Sequence, residues 1–159
     1  MKIKLILSAI ILGIGIFGSN FAISSNYPPN FIGEHILTLQ WLQNLSGVGK
    51  AKISEVDGKL VIDGYQEESC EAFRASPPCE GGVNYMKIKG NLRIISSAEL
   101  EFEGVITTKI NYINNGKIYE RKGKFIMKAW GTRKYWRMQK MTEPDEDRTV
   151  ADYIDLYFK

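Results

Sequence analysis

Apolar and polar residues alternate along much of this chain, and the longest alternating run extends from Leu100 to Tyr112. Apolar or small residues hold every second position, and mostly charged or polar residues lie between them. A period of two over such a length is typical of a half-buried β-strand. Asn115-Gly116 follows and precedes a second alternating run, which predicts a hairpin with a two-residue type I′ turn.

The register of this hairpin follows from the turn. It pairs Ile106 with Phe125 and Phe102 with Ala129, so the apolar faces of the two strands coincide, whereas a slip by one residue would separate them. It also sets each glycine opposite a larger residue, as packing on a curved sheet requires. Arg121 departs from the pattern because it points to the apolar side.

Further hairpins are predicted on both sides of this one. Asp57-Gly58 is a second two-residue turn signal, and its register pairs Ile53 with Ile62 and Lys52 with Asp63. Residues 36–45, which overlap the first predicted strand, also fit a helical period. The predicted strands are 35–43, 51–56, 59–66, 85–95, 100–112, 117–130, 133–139 and the last residues to 158.

The last two predicted strands keep one apolar face. A turn at Gly131-Thr132 sets Met127 opposite Trp136, and an acidic turn over 142–149 leads to the final strand. The final register places Arg137 opposite Asp155 on the other face, where we expect a solvent-exposed ion pair.

About eight strands, short turns and no long helix predict an all-β fold, an antiparallel up-and-down meander. Closure removes exposed strand edges, so a calycin-like barrel is the leading architecture and a β-sandwich is the alternative. An eight-stranded barrel is filled by its own side chains or holds one small ligand. We expect a single domain over 35–159, after an irregular entry segment over 23–34.

The first 22 residues have the features of a secretory signal peptide. Lys2 and Lys4 precede an apolar run, and small or polar residues follow it. Cleavage after Ala22 is favoured over cleavage after Ser24, and an uncleaved membrane anchor is the alternative. We therefore expect an exported protein, periplasmic or extracellular, with no stable membrane span after cleavage.

Charge and cysteine content narrow the class of partner. Subtracting Lys2 and Lys4 from a formal net charge of +3 leaves +1, which argues against nucleic acid as a partner. Cys70 and Cys79 are close in sequence, and in an oxidising compartment such a pair usually forms a disulfide; two free thiols are the alternative.

The C-terminal sequence resembles a group of small exported bacterial proteins of uncharacterised function. The shared pattern is G-x-R-K-Y-W-R-x-Q from Gly131, followed by D-Y-x-D-x-Y-F from Asp152. Thr132 and Pro144-Asp145 depart from what the group would lead us to expect, so a second disulfide is absent. The resemblance, lipocalin-like in outline, implies an exported β domain and no particular activity.

Candidate catalytic and metal-binding groups are few. His35 has no nucleophile motif nearby, and the acidic turn 142–149 lacks the spacing and glycine of a calcium loop. Glu99, Glu101 and Glu103 share one face, as the paired carboxylates of a glycosidase do, but an external ladder of ion pairs with the preceding strand is the better interpretation. We predict no enzyme activity, no cofactor and no bound metal.

Arg121 is the leading candidate for a binding residue. An inward guanidinium needs an anionic or hydrogen-bonding partner, which a ligand carboxylate or phosphate would supply; an arginine paired internally or solvated at the rim is the alternative. We predict an exported binding domain that holds a small apolar or amphipathic anionic ligand in the barrel. The predicted ligand-binding residues are Arg121, Tyr112, Tyr119, Phe125, Met127 and Trp136.

Two further surfaces are candidates for contact with a partner. The Cys70–Cys79 loop, with Phe73 and Arg74, suits a protein-interaction module such as a hydrolase inhibitor, because a preorganised loop loses little entropy on binding. An aromatic and basic face could contact glycan or protein, although a ladder of cation–π and ion pairs that closes the sheet explains it as well. That face comprises Arg133, Tyr135, Arg137, Tyr153 and Tyr157.

Overall fold

The computed structural model describes Tyr27 and residues 30–42, 48–70, 82–139, 142–145 and 148–158, with the backbone alone at 142–145 and 148–150. These residues form ten strands and two short 3-10 turns, Gln40–Leu42 and Asn114–Gly116. The strands are β1 (Gly33–Leu39), β2 (Gly49–Val56), β3 (Lys59–Ser69), β4 (Val83–Ser96), β5 (Glu99–Lys109), β6 (Tyr119–Lys128), β7 (Tyr135–Met138), β8 (Thr142–Asp145), β9 (Arg148–Ala151) and β10 (Ile154–Tyr157).

Eight of the strands form a closed antiparallel barrel in the order β1-β10-β7-β6-β5-β4-β3-β2. Strands β8 and β9 pair with each other as a hairpin inserted between β7 and β10. The predicted all-β meander and its closure are confirmed. The barrel closes between β1 and β10, where Leu37 lies opposite Leu156.

Alternation places one side chain in two inside the barrel, and the inward residues form one continuous core. Strand β4 is representative, since Met86, Ile88 and Leu92 are buried while Lys87 and Lys89 are exposed. The core residues without appreciable accessible surface include Leu37, Leu39, Leu42, Ile53, Ile62, Met86, Ile88, Leu100, Phe102, Ile106, Ile110 and Met127.

Three glycines lie side by side on the neighbouring strands β4, β5 and β6 of the barrel wall. Gly104 is opposite both Gly90 and Gly123. A Cβ at Gly104 would lie 2.7 Å from the Cα of Gly90 and 2.7 Å from the Phe102 ring. Gly90 and Gly104 therefore let β4 and β5 approach closely and leave room for the inward Phe102.

Two predicted registers are confirmed. Strands β2 and β3 pair Ile53 with Ile62 across the Asp57-Gly58 turn. Strands β7 and β10 pair Arg137 with Asp155, although the chain between them forms a separate hairpin.

The predicted strand register of the Asn115-Gly116 hairpin is wrong by four residues. Strand β5 ends at Lys109 and β6 begins at Tyr119, so Ile106 faces Arg121 and Phe102 faces Phe125. The nine residues between the strands form a loop in which Ile110 and Ile113 are buried. The slip is an even number, so each side chain keeps its predicted face.

Two smaller predictions also need correction. The β6–β7 register is shifted by two residues, and Met127 faces Met138 rather than Trp136. Strand β1 ends at Leu39, and Gln40–Leu42 form a 3-10 helix. Of the described residues 36–42, the helical alternative is thus correct only there, and 43–45 lie outside the described part of the chain.

Several predictions concern residues outside the described part of the chain. These are the signal peptide over 1–22, the loop residues Phe73, Arg74 and Cys79, and the side chains of the acidic turn. They stay predictions. Within the residues that the structure describes, no helix has the length and hydropathy needed to cross a membrane.

Candidate functional site

Arg121 points into the barrel and is buried, but its partner is internal. Its Nη2 donates to Oδ2 of Asp152, which is fully buried in the segment just before β10. The Tyr119 ring lies 5.9 Å from the guanidinium carbon. Of the two interpretations that the sequence left open, the internally paired arginine describes this contact.

The Arg121–Asp152 pair is incompletely hydrogen-bonded. Within the described residues, Nε and Nη1 of Arg121 and Oδ1 of Asp152 are buried without a hydrogen-bond partner. Burial raises the pKa of the Asp152 carboxyl, and this effect exceeds the opposing attraction to Arg121. The pair therefore joins β6 to the β9–β10 connection at an electrostatic cost.

The other predicted ligand-binding residues do not gather around Arg121. Tyr112 donates its hydroxyl to the Trp41 carbonyl at 2.8 Å, and its burial raises its pKa to about 12. Phe125, Met127 and Trp136 belong to the apolar core. Tyr119 alone of the set has a ring contact with Arg121 within the described residues.

His35 has a structural role that its sequence position did not reveal. The side chain is buried, with Nε2 at 2.7 Å from the Phe31 carbonyl oxygen and Nδ1 at 2.9 Å from that of Tyr157. The ring thus links the entry segment to β10. Both nitrogens lie against backbone acceptors, which leaves neither directed at a substrate.

The aromatic and basic face lies on the outside of β7 and β10, as predicted. Arg137 donates to both carboxylate oxygens of Asp155, at 2.7 and 2.6 Å, and these hydrogen bonds raise its pKa. Its guanidinium carbon lies 4.4 Å from the Tyr153 ring centre and 5.2 Å from that of Tyr135.

The predicted solvent exposure of this pair is wrong. The side chains of Arg137 and Asp155 are 22% and 4% exposed. The aromatic rings that border the guanidinium exclude water from a pair that alternation alone places outside. Arg137 and Asp155 therefore form an enclosed ion pair on the outer wall.

The three glutamates of β5 form an external ladder of ion pairs, but only Glu101 pairs with the preceding strand as predicted, and the other two pair with β6. Glu99 lies 3.2 Å from Lys128, and Glu101 lies 3.1 Å from Arg93. Glu103 lies 3.5 Å from Lys124. The carboxylates are thus engaged by basic side chains of β4 and β6.

An open cleft of about 630 Å³ lies at the end of the barrel where β3 begins and β4 ends. Its floor is apolar and is built by Tyr27, Leu60, Leu92 and Ile94. Its volume falls within the range of about 300–1,000 Å³ that is typical of ligand pockets. The rest of its lining is polar or glycine: Gly58, Lys59, Asn91, Arg93, Glu101, Glu103 and Lys124.

The basic residues at the rim of the cleft differ in whether they have an ion-pair partner. Arg93 and Lys124 are paired with the two glutamates, whereas no described ion pair involves Lys59. Lys59 is exposed and lines the cleft, so its positive charge is left beside the apolar residues without a described counter-charge. The cleft can accommodate a molecule with an apolar body and an anionic group.

Sequence reasoning missed this cleft. Its lining comes from four strands, from Gly58 in the β2–β3 turn and from Tyr27, so no short motif marks it. The sequence did offer one indication of the cleft, the inward positions of Leu92 and Ile94 next to the charged residues of the ladder. To interpret it, one must know the register between β4, β5 and β6.

The fold and the cleft define a small closed antiparallel β-barrel with an open amphipathic cleft at one end. The chain matches the PM1083 family over residues 22–158 and belongs to that family. It is 35% identical over 127 residues to "Uncharacterized protein PM1083" of Pasteurella multocida (strain Pm70), covering 80% of this chain and 72% of the relative. No solved structure matches the chain, so the calycin likeness stays a prediction.

Proposed function

We propose that this protein is an exported, non-catalytic binding domain that takes a small amphipathic anionic ligand in the cleft at the β3–β4 end of the barrel. The observation that carries the proposal is the cleft itself, with an apolar floor of Tyr27, Leu60, Leu92 and Ile94 beside the ammonium of Lys59. An apolar body would bury its surface on the floor, while its anionic group would approach Lys59.

The cleft is favoured over the barrel interior as the place of binding. Phe102, Ile106 and Met127 have no accessible surface, so no water-sized space touches them. Arg121, the expected anchor for an anion, already has Asp152 as its partner. A ligand in the interior would have to displace packed side chains as well as this carboxylate.

Calorimetric titration with decanoate, a simple anionic amphiphile, tests the proposal. We expect saturable binding by the wild-type protein, weakened about fivefold in Lys59→Glu because the charge beside the floor is reversed. Lys52→Glu makes the same charge change on β2 outside the cleft and should bind like the wild type.

The apolar floor has its own matched pair of variants. Ile94 lines the cleft, whereas Ile36 on β1 is exposed and does not. Ile94→Ser should weaken decanoate binding and Ile36→Ser should not, with thermal melts to show that both variants fold. Absence of binding by the wild type, or equal losses in the two members of a pair, would refute the cleft as the site.

A protein-interaction module is the second candidate. The observation in its favour is that the Cys70 amide donates to the Gly82 carbonyl at 3.2 Å, which draws together the two ends of the loop that we expect a Cys70–Cys79 disulfide to close. Pull-down with wild-type protein and with the Phe73→Ala, Arg74→Ala variant tests it. Retention of every partner by the variant would exclude these two side chains.

A further inference from the structure

The end of β4 with the turn that follows it, Ile95–Ala98, and the β6–β7 turn, Trp130–Lys134, lie at the same end of the barrel. Together they form an exposed surface, which we call the tip patch. The Ala129 amide donates to the Ala98 carbonyl at 2.9 Å, so the two turns lie side by side. A further hydrogen bond, from the Arg133 amide to the Trp130 carbonyl at 3.2 Å, closes the β6–β7 turn.

The tip patch combines exposed apolar side chains with basic ones. Trp130 is 57% exposed and Ile95 is 45% exposed. Arg133 and Lys134 are exposed too, and neither has an ion pair among the described residues. The patch contains no acidic residue, and its charge is therefore uniformly positive.

We propose that the tip patch binds the surface of an anionic phospholipid membrane. Tryptophan prefers the interface between water and lipid, and basic side chains are attracted to anionic headgroups within a Debye length. The indole of Trp130 would enter the headgroup region, with Arg133 and Lys134 beside it. Binding of this kind is peripheral and needs no membrane span.

A membrane fits the tip patch better than an acidic protein does. The patch has nine residues, whereas a standard protein interface has roughly 20–30 residues on each side. A fluid bilayer also accepts a protruding indole without a matching pocket. This inference does not depend on the proposed ligand cleft, because no residue of the tip patch lines the cleft.

Sedimentation with vesicles tests the proposal. We expect the protein to sediment with vesicles of phosphatidylethanolamine and phosphatidylglycerol, to stay in solution with phosphatidylcholine vesicles, and to be released by added salt. The fluorescence emission of Trp130 should shift to shorter wavelength on binding, because its exposed indole would leave water. Trp41 is already half-buried and Trp136 is buried, so a shift can be assigned to Trp130. All variants are made in the full chain, so any effect of the predicted signal peptide is common to them.

The variants separate the tip patch from general surface charge. Arg133→Gln, Lys134→Gln should lower the vesicle affinity about thirtyfold, and Trp130→Ala should lower it and abolish the emission shift. The matched controls lie near the opposite end of the barrel: Lys117→Gln, Lys122→Gln and the exposed Ile118→Ala, which should bind like the wild type. No sedimentation of the wild type, equal sedimentation with both lipids, or equal losses in patch and control variants would overturn the proposal.

Discussion

Removal of Arg137 should destabilise the protein far more than removal of an ordinary surface cation. In Arg137→Ala the Asp155 carboxylate, 4% exposed, loses two hydrogen bonds of 2.7 and 2.6 Å and its counter-charge. An uncompensated enclosed charge costs about 3–5 kcal/mol of the free energy of unfolding. Lys89 and Asp63 supply the matched control, since their side chains are 79% and 69% exposed. Lys89→Ala should cost about 0–1 kcal/mol.

The reverse change adds an internal check. Asp155→Asn leaves Arg137, 22% exposed, able to meet water, so we expect a smaller loss of about 1–3 kcal/mol. Urea melts of the three variants measure these losses. Arg137→Ala and Lys89→Ala with equal losses would show that the aromatic rings do not enclose the pair and would refute the reasoning.

Three further predictions concern the barrel itself. Burial raises the pKa of Asp152, so ionising this carboxyl lowers the free energy of unfolding. The free energy of unfolding of the wild type, relative to that of Asp152→Asn, should therefore fall as pH rises from about 4. Urea melts across this pH range measure the difference, and a difference that stays constant or grows in favour of the wild type would contradict the prediction. Gly104→Ala would force a Cβ onto the Lys89 carbonyl and should cost about 1–3 kcal/mol in thermal or urea melts, and no change would mean that the strands can separate there. Trp136→Ala removes a buried indole and should cost about 3–5 kcal/mol in the same melts, and a loss under 1 kcal/mol would place this side chain outside the core.

The fold was predictable from the sequence where the signal is local. Alternation alone places side chains inside or outside, and the Asp57-Gly58 turn fixes the β2–β3 register because no buried residue intervenes. Asn115-Gly116 carries the same signal, yet three successive residues there, Asn114 to Gly116, have positive φ and form a 3-10 turn. The same loop buries Ile110 and Ile113, and this burial favours the longer connection over a two-residue turn.

The candidate site was predictable only in part, because it depends on contacts between distant segments. Alternation shows that Arg121 points inward, but Asp152 reaches it from a connection 31 residues further along the chain. The enclosure of the Arg137–Asp155 pair likewise depends on two rings that border Arg137, Tyr135 of β7 and Tyr153 just before β10. The cleft could be predicted only from the true β5–β6 register, which brings Glu103 opposite Lys124.

Amide shift mapping of the isotope-labelled protein with decanoate tests the central claim, ligand binding in the cleft, most directly. We predict that the largest shift changes cluster at Gly58–Leu60 and Asn91–Ile94, with saturation at one site. Changes centred on Phe102, Met127 and Trp136 would instead mean that the ligand enters the barrel interior, and the absence of any saturable change would contradict the proposed function.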